Sequence, residues 1–178
     1  MIETVVESIR VSLVTQHRVV ILKEVHGERH LPIWIGAYEA EAIAMELQGV
    51  TAARPLPYDL IRNTIGEMGG LVDRIVVTDL SQDVFYARIV IQQNGRTVEI
   101  DSRPSDAIAL AVRAKVPILV DESVMDRAWV TLGADDDADD DSADPQEVEG
   151  GAEDERLTVF RDFINSLDID DLGKKRDG

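Results

Sequence analysis

Apolar and polar positions along the first three-quarters of the chain follow two different periods. Residues 4–11 and 18–23 have the composition of strands. A third strand is expected at 29–35, after a turn at His26-Gly27. Residues 38–48 then switch to the three-and-four spacing of a helix, closed by Gly49. Pro55 and Pro57 break the chain, and Pro57 starts a second helix that runs to Met68 and stops at Gly69-Gly70. Strands follow at 71–80 and 84–92, and Asn94-Gly95 marks a tight hairpin to a partner strand at 96–101. Ser102-Arg103-Pro104-Ser105 opens a third helix reaching about Ala114, and 117–120 reads as a short buried strand. Strands and helices mixed with hairpins give a mixed α/β (α+β) class, a compact single domain with a hairpin-containing sheet. No internal repeat is visible, and the strand-rich start and middle suggest two sheet layers.

Two of the helices are unusual. Residues 106–114 are apolar nearly all round, which is the pattern of a buried helix. Ala107, Ala109, Ala111 and Ala114 leave room for other backbones to approach closely. The helix at 38–48 resembles it through Ala40, Ala42 and Ala44, with Glu39 and Glu46 on one face and Glu41 on another. The expectation is a tight Ala-rich helix pair on the sheet, available also as a subunit interface.

The periodic pattern ends near 132, and charge explains why. The chain carries 18 Lys+Arg against 35 Asp+Glu, a net charge of −17. Residues 1–132 hold 13 and 18 of these, or −5, while residues 133–178 hold 5 and 17, or −12. A nearly balanced domain at 1–132 is thus followed by an acidic linker at 133–154, which repels itself and has little apolar surface to bury. Residues 155–178 follow, with Leu157, Phe160, Phe163, Ile164 and Leu167 spaced as one amphipathic tail helix. That helix is expected to dock on the domain, on a second subunit or on another protein. Neither part has the broad basic face of a strong nucleic-acid binder.

The chain has no cysteine, which excludes disulfides, thiol nucleophiles and cysteine-held metal centres. Glu3 and Glu7 stand where a signal peptide needs positive charge and an apolar core. No stretch approaches the roughly 18 apolar residues of a membrane span, so a cytoplasmic protein with no membrane partner is expected.

Several segments carry a family resemblance. They are Leu31-Pro32-Ile33-Trp34-Ile35-Gly36, Glu39-Ala40-Glu41-Ala42-Ile43-Ala44, Arg54-Pro55-Leu56 with Asp59-Leu60, and residues 101–111, whose core is Ser102-Arg103-Pro104-Ser105-Asp106-Ala107. In order and separation, over about residues 1–130, they resemble the bifunctional nuclease (BFN) domain family. The tail from Val159 onward also resembles the C-terminal segment of many bacterial members. The resemblance implies a compact mixed α/β domain, a homodimer or higher homo-oligomer, and cleavage of both RNA and DNA with little sequence preference, the activity attributed to plant members. At the position of Tyr58 the family pattern often has His, so the residue best suited as a base near neutral pH is absent here.

The chemistry such a site requires narrows the candidates. There is no clustered His pair, no HExxH and no P-loop lysine, which leaves carboxylates holding a divalent ion, Mg²⁺ or Mn²⁺, that activates water. Asp101, Arg103 and Asp106 are the catalytic candidates at a strand-to-helix junction, where free N–H groups favour a phosphate and Arg103 can clamp it. Asp101, Asp106 and Glu39 are the metal candidates, and Arg54, Asp59 and Ser105 the substrate-binding ones. No organic cofactor is implied.

Each candidate has a structural alternative. Ser102 or Ser105 can cap the helix, Asp106, Glu39 and Glu41 can complement helix dipoles, and Arg103 can form an ion pair. Asp59 and Arg62 can pair at three apart. His17, His26 and His30 lack metal-ligand spacing and read as surface residues, and Trp34 and Trp129 read as core or interface residues. Two functions follow: a metal-assisted, sequence-nonspecific nuclease, and a non-catalytic oligomeric scaffold whose acidic tail and tail helix engage a protein partner. Carboxylates lining an open site favour the first, and carboxylates used up in ion pairs the second.

Overall fold

In chain order the elements are β1 (Ile2–Val11), β2 (Arg18–Glu24), β3 (His30–Ile35), α1 (Ala37–Leu47), α2 (Pro57–Glu67) and β4 (Gly70–Ser81), followed by β5 (Val84–Gln93), β6 (Arg96–Ser102), α3 (Pro104–Ala114), β7 (Ile118–Val120) and α4 (Glu122–Ala128). They come from a computed structural model that describes residues 1–11 and 16–131. The acidic linker and tail helix expected beyond 132 lie outside the described residues. Most element bounds fall within a residue or two of those the sequence pattern predicts. The sequence reading omits α4, a helix of two turns whose cap is visible only in place, where Asp121 accepts hydrogen bonds from the Ser123 backbone and hydroxyl. No helix among the described residues is long and apolar enough to cross a membrane.

The strands form two antiparallel meanders, β1-β2-β3 and β4-β5-β6. Three residues make them one sheet. β7 pairs antiparallel with β1 and parallel with β4, giving a seven-stranded sheet in the order β3-β2-β1-β7-β4-β5-β6. The two separate layers suggested by the sequence are therefore a single layer, and its joint is too short for periodicity to reveal as central.

α3 packs against β3, β4 and β5 as well as against α1 and α2. β3 and β4 stand four places apart in the sheet, which at about 4.8 Å per strand would be roughly 19 Å if the sheet were flat. A helix is only about 10–12 Å across, so the sheet curls around α3. Bulges between Val6 and Ser8, Val72 and Arg74, and Val77 and Asp79 raise the local twist that curling requires. Ala107, Ala109 and Ala111 are fully buried, with Ile108 and Leu110 beside them. The apolar-all-round helix is the centre of the fold, with α1 packed on it as expected.

One charge lies inside this packing. The Arg113 side chain is 2% exposed, in the last turn of α3. Its Nη1 donates to the Ala109 carbonyl at 3.1 Å and its Nη2 to the Ala42 carbonyl of α1 at 2.8 Å. Nε lies 3.2 Å from Asp59 Oδ1 of α2, a charge contact without hydrogen-bond alignment. The guanidinium also sits 5.5 Å from the centre of the Tyr58 ring, within cation–π range. The Asp59–Arg62 pair open to the sequence does not form. Asp59 takes Arg113, and Arg62 donates instead to the Arg113 carbonyl at 3.0 Å.

One other expectation is corrected and another is narrowed. His30 is buried rather than on the surface, 4% exposed, because Val130 bridges to its backbone in both directions. Trp34 and Trp129 are 39% and 42% exposed, so neither is a core residue of the described domain.

Arg113→Ala leaves Asp59 without its cation and two carbonyls without donors, and should cost about 3–5 kcal/mol in denaturant unfolding. Arg62→Ala, at an exposed position, should cost about 1 kcal/mol or less.

Candidate nucleic-acid site

The first turns of α1 and α3 meet, and the first turn of α2 reaches them. Each brings one acid: Glu39, Asp106 and Asp59. An acid in a first turn offsets the positive end of the helix dipole, but here the acids also bind across helices. Arg103 is the N-cap of α3, in extended geometry at φ −68° and ψ 145°, with Pro104 setting the first helical residue. That geometry turns the Arg103 side chain back over its own helix. Nε donates to Asp106 Oδ2 at 2.6 Å and Nη2 to Oδ1 at 3.0 Å, a two-pronged grip on one carboxylate. Nη2 also donates to Glu39 Oε1 at 2.7 Å.

Nη1 makes no hydrogen bond among the described residues, and the Arg103 side chain is 67% exposed. The guanidinium is therefore fixed on one side and open on the other. Its hydrogen bonds to Asp106 first, and to Glu39 second, push its pKa up, so it stays charged.

Tyr58 completes the inner side by donating to Asp106 Oδ1 at 3.0 Å. Burial first, then the hydrogen bond to Asp106, push the Tyr58 hydroxyl up to about 12. It is a neutral donor at neutral pH and not a base. Asp106 thus accepts three hydrogen bonds and Glu39 one. Glu39 folds back over the start of α1, where a Cβ added at Gly36 would collide with its Oε2.

The expected residues separate into three groups. Arg103, Asp106 and Glu39 come together. Asp59 instead accepts from the Leu56 N–H at 2.8 Å and faces Arg113, which is a structural role. Ser105 is buried at 7% exposure, and no side chain caps α3, so neither serine caps the helix. The side chains of Asp101 and Arg54 are exposed and carry no hydrogen bond or ion pair among the described residues.

Of the expected metal set, Glu39 and Asp106 converge on Arg103 while Asp101 stands outside. Among the described residues no three His, Asp or Glu are grouped to hold a metal ion. An open cavity of about 630 Å³ lies elsewhere, along α2 and β4, lined by Arg62, Ile65, Leu71, Val72 and Val116 among others.

Sequence reasoning missed the roles of Tyr58 and Arg113. Arg113 did leave a signal: an arginine in a helix apolar on every face has no exposed side to occupy, so it must be buried and paired. Nothing in the sequence pointed Tyr58 at Asp106, 48 residues away.

The family model for the bifunctional nuclease domain matches residues 20–132. An uncharacterised protein of Mycobacterium tuberculosis (strain H37Rv) is 38% identical over 170 residues, covering 96% of this chain and 97% of that protein. Bifunctional nuclease 1 of Oryza sativa subsp. japonica is 29% identical over 111 residues, and bifunctional nuclease 2 of Arabidopsis thaliana 32% over 110. These matches cover 61% and 60% of this chain but only 34% and 33% of the plant proteins.

The raised Tyr58 pKa has a definite sign. The folded state favours the neutral phenol, so this stabilisation is complete below about pH 10, the ordinary tyrosine value. It is lost as pH rises through about 12. In an alkaline titration followed by tyrosinate absorbance, Tyr58 should ionise late, near pH 12. Tyr58→Phe should remove that late step.

Proposed function

The chain belongs to the bifunctional nuclease domain family, and from that premise we propose that it is a sequence-nonspecific nuclease whose Arg103 binds the phosphodiester of RNA or DNA. The observation that carries this reading is the open Nη1 face of a guanidinium anchored by Asp106 and Glu39. Anchoring fixes the donor before substrate arrives, so little freedom is lost on binding. A guanidinium that contacts phosphate reads no base, which accounts for low sequence preference. The start of α3 lies behind it and favours negative charge.

In hydrolysis, water attacks phosphorus, charge builds on the phosphoryl oxygens, and one P–O bond breaks, its leaving oxygen taking a proton from solvent. Arg103 stabilises that charge. Asp106, held by Arg103 and Tyr58, keeps the guanidinium in place. Glu39, with a single hydrogen bond, is the carboxylate left to accept the proton from water.

As these residues stand they do not fit a resident divalent ion, because Arg103 faces both Glu39 and Asp106 and Asp101 is not grouped with them. No step is therefore drawn through Mg²⁺ or Mn²⁺. The same ion pairing favours a second reading, a module that binds nucleic acid or protein without cleaving. Its supporting observation is that Glu39, Asp106 and Asp59 all have partners.

Single-stranded RNA and DNA incubated with purified protein, with Mg²⁺ or Mn²⁺ and with EDTA, separate these readings. Cleavage that falls about 100- to 1,000-fold in folded Arg103→Ala supports the nuclease. Cleavage lost on Asp101→Ala and abolished by EDTA would restore the carboxylate metal set. Binding that depends on Arg103 without any cleavage would establish the second reading.

A further inference from the structure

We infer that two copies of this chain pair antiparallel through β6, and that the pairing sets Arg96 of the partner subunit beside Ser102 and Arg103. The sheet has two edges, which differ sharply. On β3, Pro32 withholds a donor and Val130 pairs with His30 at 3.0 and 2.8 Å. On β6 nothing among the described residues pairs with the outer edge, and Arg96 to Asp101 are all exposed. That strand carries no proline, no lysine and no bulge, three of the devices by which sheets blunt an open edge, and its charged residues are Arg96, Glu99 and Asp101. Val98 and Ile100 stand opposite Ile91 and Ile89, both buried, yet are themselves 39% and 44% exposed. They extend the core face beyond the cover of the helices.

The strand is complementary to itself. An antiparallel pair centred on Glu99 sets Val98 opposite Ile100 of the partner subunit, and the two-fold axis repeats the contact. On the other face the two Glu99 side chains meet, but each is held by its own Arg88 at 2.8 Å, so the group of four is neutral. The same register sets Arg96 of the partner subunit opposite Ser102, on the helix face and one residue before Arg103. The Arg96 side chain makes no hydrogen bond or ion pair among the described residues. The cluster of Arg103, Glu39 and Asp106 sums to −1, so a second cation there improves its capacity for phosphate. This last step rests on the phosphate reading above, whereas the pairing does not.

Sedimentation of the full chain tests the pairing, with a dimer expected at twice 19.7 kDa. Ile100→Lys, at an exposed position, should give a folded monomer. The chain has no cysteine, so Glu99→Cys should cross-link under mild oxidation, because opposed antiparallel residues lie within disulfide reach. Thr97→Cys should not. A monomeric wild type, a stable Ile100→Lys dimer, or cross-linking through Thr97→Cys in place of Glu99→Cys overturns the proposal. A monomer whose β6 amides still resist hydrogen exchange means the edge is covered from within one chain, and overturns it too.

For the shared site, Arg96→Ala and Arg103→Ala should each weaken binding of a single-stranded oligonucleotide about tenfold or more. Mixed and re-associated, the two variants should recover about a quarter of the wild-type sites, one in each mixed dimer. No recovery overturns the sharing. If the wild type binds no oligonucleotide, the phosphate reading fails while mass and cross-linking still decide the pairing.

Discussion

The buried guanidinium of Arg113 is the constraint on which the helical layer depends. An apolar helix such as α3 can slide or rotate against apolar neighbours at small cost, since dispersion and burial are not directional. A buried cation cannot, because each unsatisfied donor or unpaired carboxylate costs several kcal/mol. Arg113 ties the Ala42 carbonyl of α1, Asp59 of α2 and the Ala109 carbonyl of its own helix to one plane. The Ala-rich surfaces allow close approach, and the arginine selects one register among the packings they allow.

That register brings the candidate site into being. Tyr58 and Asp59 are adjacent in sequence yet serve two arginines at opposite ends of α3. The Tyr58 ring packs near Arg113 while its hydroxyl reaches Asp106. The structural pair and the surface cluster are thus mechanically joined through one tyrosine. This joining also gives the Tyr58 position a meaning other than base catalysis. Where the family pattern often has histidine, this chain has a donor that braces the carboxylate holding Arg103.

Electrostatically the site suits weak, general recognition of phosphate more than tight binding. A domain at −5 with an acidic segment beyond it does not draw nucleic acid from a distance. On the proposed reading, binding comes from short-range contacts at Arg103 and from the cations beside it. The edge of β6 matters in that light, since it ends one residue before Arg103 and carries at its other end Arg96, whose side chain has no partner among the described residues.

Local order is legible in the residues alone: strand and helix periods, the Asn94-Gly95 turn, the proline starts of α2 and α3, and the burial of an apolar helix. These are short-range matters, settled by side-chain size, backbone torsion and period. The sequence also marked Arg103, Asp106 and Glu39 as chemically interesting, since each sits at a helix start. Their partners are set by the fold. A carboxylate free to hold a metal and one gripped by a guanidinium have the same letter in the sequence, and the choice between them depends on a contact between residues 39 and 103. The same holds for β7, whose three residues look like any buried run until two meanders close on them, and for His30, covered by a backbone pairing from residue 130. Long-range pairing is set by the sum of many weak contacts, and no single position in the chain records it.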